Sequence, residues 1–178
     1  MFTWLHISDI HMGHGPTSHR WDQRLVLEAL TRDVQQAPER GTPRPDAIII
    51  TGDIAFSGAA LHADEYNQAT LWLTKLSVAL GLAPDAVFMV PGNHDAQRHG
   101  TRNVRRLVAR LRAGEESVDE ALADLSDRRL LEARLSNYLQ FARAFAPARA
   151  ELFWHEIVAR TPRPERAPRG PQHSAPGG

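Results

Sequence analysis

The chain has 178 residues, of which 42% are apolar and 24% are charged, as in a folded domain rather than a collagen-like or disordered chain. It contains no cysteine, which excludes disulfides, iron–sulfur clusters, thiolate zinc sites and cysteine nucleophiles. Twenty-one basic residues balance twenty-one acidic ones, so nucleic acid is not favoured as a partner, because proteins held to nucleic acid by charge carry a basic excess.

The first residues do not have the pattern of a signal peptide. They contain His6 and Asp9 but no basic region before an apolar run. No segment approaches the roughly 20 continuous apolar residues that are needed to span a bilayer. The sequence therefore predicts a cytoplasmic protein without a membrane partner.

Three short apolar segments, separated by two segments with helical periodicity, predict the fold class. The three apolar segments, each expected to form a strand, are residues 2–8, 47–51 (AIIIT) and 86–90 (AVFMV). The segments 21–36 and 64–80 have apolar residues at helical spacing, and Asp64 is a plausible N-cap. Alternating strands and helices predict right-handed βαβ units and a parallel sheet, and hence an α/β fold.

The composition changes after residue 100. Residues 102–112 and 117–146 are rich in Leu, Ala and Arg and are expected to be helical. Residues 151–160 are compatible with either a helix or the approach to a strand. From residue 161 onward, prolines and glycines replace large apolar residues, which predicts a disordered tail over 161–178.

A polar cluster directly follows each predicted strand. The clusters are Asp9-Ile10-His11, Gly52-Asp53 and Gly92-Asn93-His94-Asp95. Because the carboxyl ends of parallel strands share one edge of a sheet, we expect these residues to converge on one site. Carboxylate, imidazole and amide ligands suit manganese, iron(II) or zinc, and two such ions can hold both oxygens of a phosphoryl displacement. The alternative is that these residues only cap turns, but then several positions match a site geometry by coincidence.

The ordered motifs D-x-H, G-D and G-N-H-D resemble those of the calcineurin-like metallophosphoesterase superfamily. The flanks HISDIHMGHG and VFMVPGNHD are similar to its cyclic-nucleotide phosphodiesterase-like branch, whereas GDIAFSG lacks the G-D-x-x-D-R-G of the Ser/Thr protein phosphatases. The resemblance covers about residues 1–98. The family's downstream G-H-x-H motif is absent, since no H-x-H occurs in the chain and neither His155 nor His173 matches it.

The resemblance implies a metallophosphoesterase-type α-β-β-α sandwich. With only three predicted strands, we expect this sandwich to be incomplete and to be followed by a helical C-terminal segment. One domain would then span residues 1–160, with the motif-bearing core at 1–98 and the helical segment at 101–160. A truncated gene, a frameshift or an excised fragment would each explain such a chain.

The resemblance also implies a dinuclear centre of two divalent ions, Mn²⁺, Fe²⁺ or Zn²⁺. Asp9 and His11 would bind the first ion, and Asp53 would bridge the two. Asn93 would bind the second ion through its amide oxygen. The nucleophile would be a hydroxide that bridges and is activated by the two ions.

Two further residues receive catalytic roles from the resemblance. His94 would act near the leaving group, as a general acid or as a charge stabiliser on the phosphoryl oxygens. Asp95 would hold the His94 ring by a hydrogen bond and so fix its tautomer. His14 and Arg98 are weaker candidates for substrate contacts, because exposed loop residues of these types are common.

The implied function is that of a metal-dependent phosphoester hydrolase, with a phosphodiesterase acting on a cyclic nucleotide or another small phosphodiester preferred. The alternative is a truncated, catalytically impaired module that binds metal or phosphate. That alternative arises because Asp53 and Asn93 alone would hold the second ion weakly. A third reading is a non-functional remnant whose uncovered sheet face promotes association.

Overall fold

The structure is a computed structural model that describes residues 2–15, 17–97, 100–152 and 154–155. The strands are β1 (Trp4–Ile7), β2 (Ala47–Thr51) and β3 (Val87–Val90). The helices are α1 (Thr17–Gln36), α2 (Glu65–Leu80), α3 (Arg102–Ala113), α4 (Val118–Ala123), α5 (Leu125–Arg134) and α6 (Ser136–Arg143). Short 3₁₀ turns lie at Ala37–Arg40, Pro84–Ala86 and Pro147–Arg149.

The three strands form one parallel sheet in the order β1-β2-β3, so the predicted α/β class is confirmed. The apolar run AIIIT is the central strand, as expected for a segment with neighbours on both sides. The register places Leu5 beside Ile48 and Ile48 beside Val87 across the sheet. The carboxyl ends of all three strands therefore lie at one edge.

One face of the sheet packs into the main hydrophobic core. Ile48 and Ile50 of β2 are fully buried there, together with residues of α2 and α6. Leu73 and Leu76, on the apolar stripe predicted for the second helix, are also fully buried. Burial of each such side chain stabilises the fold by about 1.5–3 kcal/mol.

The opposite face of the sheet is largely exposed. Trp4 is 54% exposed and Val90 44% exposed, although both lie in strands. Phe88 is covered, because the guanidinium of Arg149 lies 3.9 Å from its ring centroid and the Trp154 ring lies 6.2 Å away. In the described part of the chain no second sheet covers this face, in agreement with the expected incomplete sandwich.

The helical segment expected after residue 100 is confirmed, and residues 117–146 contain three helices. Side-chain caps begin the first two of these helices, whereas α6 follows Leu135 without such a cap. Ser117 and Glu120 form a reciprocal capping box at the start of α4. The Asp124 carboxylate accepts the backbone N–H groups of Ser126 and Asp127 and begins α5.

Other expectations meet the structure only in part. Asp64 occupies the N-cap position of α2, but its carboxylate accepts a bond from the Gln68 side chain and makes no cap. Residues 151–152 and 154–155 lie outside any helix or strand, while 156–160 and the expected tail 161–178 lie outside the described residues. None of the described helices combines the length and apolarity needed to cross a bilayer.

Candidate active site

Three loops follow the three strands and meet at the carboxyl edge of the sheet. We call them loop 1 (residues 9–15), loop 2 (residues 52–60) and loop 3 (residues 91–97). Loops 1 and 2 extend the pairing of β1 and β2, because His11 N donates to the Asp53 carbonyl at 2.8 Å and Met12 N to that of Ile54 at 2.8 Å. Backbone bonds therefore fix two of the predicted ligands side by side.

Loops 2 and 3 approach each other too closely for side chains at their glycines. A Cβ on Gly52 would lie 2.7 Å from Gly92 Cα, and a Cβ on Gly92 would lie 2.1 Å from Asp53 Oδ1. The same Asp53 Oδ1 accepts the backbone N–H of His94 at 2.9 Å. Both G-D and G-N-H thus need glycine for close backbone approach.

His11, Asp53 and His94 come together at the centre of these loops. One potential ligand atom from each lies within 4.8 Å of the others. The two imidazole rings are 4.6 Å apart between centroids and meet edge to face at 78°. Asp9 lies at the margin, with its Oδ1 3.8 Å from His11 Nε2. One ion could therefore contact side chains from all three loops.

Three of these residues have a left-handed backbone conformation. The φ angles of Asp9, His11 and Asp53 are 55°, 50° and 53°. A non-glycine residue in this region costs about 1–2 kcal/mol, with less for Asp than for His. Such strain persists where surrounding bonds hold the backbone, and it concentrates at functional sites.

The donor set fits a divalent transition metal ion. Nδ1 of His11 is buried and has no hydrogen-bond partner among the described residues, which is costly for a polar atom unless a ligand satisfies it. Two imidazoles and a carboxylate are a common ligand set for Zn²⁺, Mn²⁺ and Fe²⁺. His11, Asp53 and His94 could therefore hold such an ion.

The structure gives the His94 ring a partner different from the one expected. Nδ1 of His94 lies 2.7 Å from the backbone carbonyl oxygen of Phe56, and the two rings stack at 5.5 Å and 30°. Because a carbonyl only accepts, Nδ1 must be the donor, and this contact fixes the tautomer. The Phe56 carbonyl thus accepts a hydrogen bond from the His94 ring, for which the Asp95 carboxylate is the acceptor expected from the sequence.

Asp95 connects loops 2 and 3 instead. Its carboxylate is fully buried and accepts the backbone N–H groups of Gly92 at 2.9 Å, Ala55 at 3.0 Å and Ile54 at 3.2 Å. The Tyr66 hydroxyl adds a bond of 3.0 Å. Burial raises the pKa of Asp95, while the three backbone donors oppose that shift. The described contacts of Asp95 are those of a structural anchor.

The family model of the calcineurin-like phosphoesterases matches residues 2–169. The chain belongs to this family. The match continues well past the motif-bearing residues 1–98 and includes the helical segment. A comparison with curated proteins gives no match. The family is one of metal-dependent phosphoester hydrolases, in agreement with the donor set at the meeting point of the loops.

Three of the remaining candidate residues of this phosphoesterase site are exposed, and a fourth lies outside the described residues. Asn93 is exposed in loop 3. His14 is exposed in loop 1, where its ring packs edge to face on Phe56 at 4.6 Å, and it is not part of the three-residue group. His155 is exposed. Arg98 lies outside the described residues.

Sequence reasoning missed the helix side chains that hold the loops of the phosphoesterase. Gln23 of α1 donates to the carbonyls of Ile10 at 2.7 Å and His11 at 3.1 Å. Glu65 and Tyr66 of α2 are buried and bond to loop 2 and to Asp95. A signal was present, because both lie within one turn of Ala69 on the apolar stripe of α2.

Proposed function

We propose that this phosphoesterase hydrolyses phosphodiesters, with a small nucleotide-type diester as its substrate. The convergence of His11, Asp53 and His94 at the edge of the parallel sheet is the observation that carries the proposal. The motif flanks, which are similar to those of the cyclic-nucleotide branch, favour a diester over a phosphoprotein. The balanced charge of the chain gives no support to a nucleic-acid substrate.

In this proposal His11 and Asp53 hold a divalent ion, with Asp9 and Asn93 as further oxygen donors at its margin, and the His94 ring lies beside the ion without binding it. A bound divalent ion supplies positive charge to the phosphoryl oxygens and activates water for attack. The backbone bonds between loops 1 and 2 keep His11 beside Asp53. The strained φ angles of these two residues aim their side chains at the shared centre.

His94 would handle a proton. Its Nδ1–H donates to the Phe56 carbonyl, so the exchangeable proton or the lone pair lies on Nε2. From Nε2 a protonated ring can donate to the oxygen of the departing alcohol. Stacking on the Phe56 ring limits rotation of the imidazole and keeps this nitrogen at the site.

The test is Mn²⁺-dependent hydrolysis of bis(p-nitrophenyl) phosphate by the purified chain, beside p-nitrophenyl phosphate as the monoester. Asp53→Asn keeps the shape of the side chain but removes its charge, and we expect it to lower the diester rate by roughly 100-fold. Asp64→Asn is the matched control, since Asp64 is an exposed carboxylate outside the three loops. No hydrolysis of either ester by a folded, metal-loaded chain would refute the proposal, and preferred hydrolysis of the monoester would refute diester specificity.

A second candidate function is binding of a single ion or of phosphate without turnover. It is favoured by one observation, namely that the described residues bring one group of three ligands together while the sequence contains no H-x-H. Elemental analysis of the purified chain distinguishes the two functions. One ion per chain without turnover supports the binding module, whereas two tightly bound ions count against it.

A further inference from the structure

The first turn of α2 places two polar side chains inside the protein, next to the loops of the site. Glu65 is fully buried and Tyr66 is 7% exposed. Neither belongs to a ligand motif, and neither is part of the three-residue group. Buried polar groups of this kind are hydrogen-bonded, and a fully bonded buried network makes the surrounding structure rigid.

Tyr66 acts on loops 2 and 3 through Asp95. Its hydroxyl donates to Asp95 Oδ1 at 3.0 Å, and the same oxygen accepts the Ala55 backbone N–H. Burial and the nearby Asp95 charge raise the pKa of Tyr66 well above its usual value, so the hydroxyl keeps its proton and remains a donor. The hydroxyl is therefore part of the support that joins loop 2 to loop 3.

Glu65 acts on loops 1 and 2. Its carboxylate accepts the Ser57 hydroxyl at 2.8 Å and the backbone N–H groups of Ser57 at 3.1 Å and Ala59 at 2.8 Å. Gly13 of loop 1 lies against its stem, since a Cβ on Gly13 would come within 2.8 Å of Glu65 Cγ. One helical turn thus contacts all three loops, the third by way of Asp95.

We propose that Tyr66 and Glu65 are positioning residues that set the spacing of His11, Asp53 and His94, so that metal affinity depends on a helix that supplies no ligand. The proposal rests on the proposed function in taking His11 and Asp53 as ligands of the ion and His94 as the proton donor beside it. Its physical basis is that Asp95 is next to His94 in the chain and is bonded to the residue next to Asp53. That residue is Ile54, whose backbone N–H the Asp95 carboxylate accepts. A shift of the Asp95 carboxylate therefore moves both the ligand Asp53 and the neighbouring His94.

The first test compares two tyrosines that differ in what their hydroxyls hold. Tyr66→Phe removes the bond to Asp95, and we expect the dissociation constant for Mn²⁺ to rise roughly 10- to 100-fold. Tyr138→Phe is the matched control, because Tyr138 is also buried but donates to the Met89 carbonyl in β3, at 3.0 Å. We expect its Mn²⁺ dissociation constant to stay within about twofold of the wild-type value. Calorimetric titration gives both values, and the visible absorption of bound Co²⁺ reports any change in ligand geometry.

The second test separates the hydrogen bonds of Glu65 from its negative charge. Glu65→Gln keeps an oxygen for the two backbone N–H groups and a group that can donate to Ser57 Oγ, whereas Glu65→Ala loses every bond. We expect Gln to retain metal affinity and the Co²⁺ spectrum, and Ala to lose both. This pair also serves if Tyr66→Phe does not fold.

The outcomes are distinct. Unchanged Mn²⁺ affinity in both Tyr66→Phe and Glu65→Ala would overturn this inference and leave the proposed function standing. Equal weakening by Tyr66→Phe and Tyr138→Phe would do the same, because it would reflect a general loss of stability. A folded wild-type chain that binds neither Mn²⁺ nor Co²⁺ would overturn the proposed function and this inference with it. Two results together support the positioning role. Tyr66→Phe weakens Mn²⁺ binding while Tyr138→Phe does not, and Glu65→Ala weakens it while Glu65→Gln does not.

Discussion

Substitution of Gly92 by alanine addresses the closest contact in the site. The new Cβ would lie 2.1 Å from Asp53 Oδ1 and 2.5 Å from Asp53 N, about 1 Å or more short of the roughly 3.5 Å of ordinary van der Waals contact. The second distance is to backbone, so rotation of a side chain alone cannot relieve the clash. Either loop 3 moves away from loop 2, or the Asp53 carboxylate leaves His94 N and with it the ligand group.

The expected cost is modest for folding and large for the site. Overpacking of this kind costs roughly 1–3 kcal/mol, which corresponds to a fall of about 2–12 °C in the melting temperature of a chain of this length. A displacement of about 1 Å at a reacting centre can lower the rate by roughly 100-fold. We therefore expect Gly92→Ala to remain folded, to bind Mn²⁺ at least tenfold more weakly and to hydrolyse the diester about 100-fold more slowly.

Gly81→Ala provides the control for this substitution. Gly81 ends α2 with a φ of 69°, and among the described residues no atom beyond its chain neighbours lies within 4 Å of its added Cβ. The control therefore introduces about 1–2 kcal/mol of left-handed strain without touching the loops. Thermal melts, Mn²⁺ titration and diester hydrolysis are measured on both variants. Wild-type affinity and rate in Gly92→Ala would refute the argument that loops 2 and 3 need this close approach.

Three further predictions concern the metal and the anchors around it. Excess EDTA should lower the melting temperature of the Mn²⁺-loaded chain, because metal at 100 times its dissociation constant adds about 2.7 kcal/mol to the free energy of unfolding. In the same melts, EDTA should lower the melting temperature of Asp53→Asn much less. Asp95→Asn should lower the free energy of unfolding by about 1–3 kcal/mol in urea, since the amide keeps one accepting oxygen and its NH2 group must face two of the donors that the carboxylate accepts; equal stability would contradict the anchor role. The pKa of Glu120 is lowered by hydrogen bonds from Ser117, so its stabilising effect is present above the unfolded-state pKa and is lost as pH falls through the folded-state value. Ser117→Ala should therefore destabilise the chain more at pH 7 than at pH 3 in denaturant melts, with unchanged Mn²⁺ affinity.

The sheet was predictable because its signals are local. The run AIIIT predicted β2 with the bounds that the structure has, and the order of strands and helices predicted parallel pairing. Periodicity alone did not divide residues 117–146, because every piece of this segment favours a helix. The division between α4 and α5 comes from a side-chain cap, and the Asp124-Leu125-Ser126-Asp127 sequence carries that signal in a form that periodicity ignores.

The sequence was sufficient to predict which residues form the site, but not which partners they contact. Motif order and sheet topology were sufficient to expect His11, Asp53 and His94 together. The partners of Asp95 and of the His94 ring were not predictable, because neighbouring residues in a tight loop face directions set by its backbone angles. Asp95 turns inward to Tyr66, whereas the imidazole of His94 turns to the Phe56 carbonyl. Only the folded loops reveal these partners.

The left-handed residues explain why so many polar side chains surround the loops. Three of them together carry on the order of 3–6 kcal/mol of backbone strain, a large fraction of the stability of an ordinary domain. The carboxylates of Asp95 and Glu65 accept seven hydrogen bonds between them, and bonds of this kind hold a strained backbone in place. The anchors can therefore hold the strained loops without help from an ion. An ion then finds its ligands already close together, and its binding energy need not order the loops.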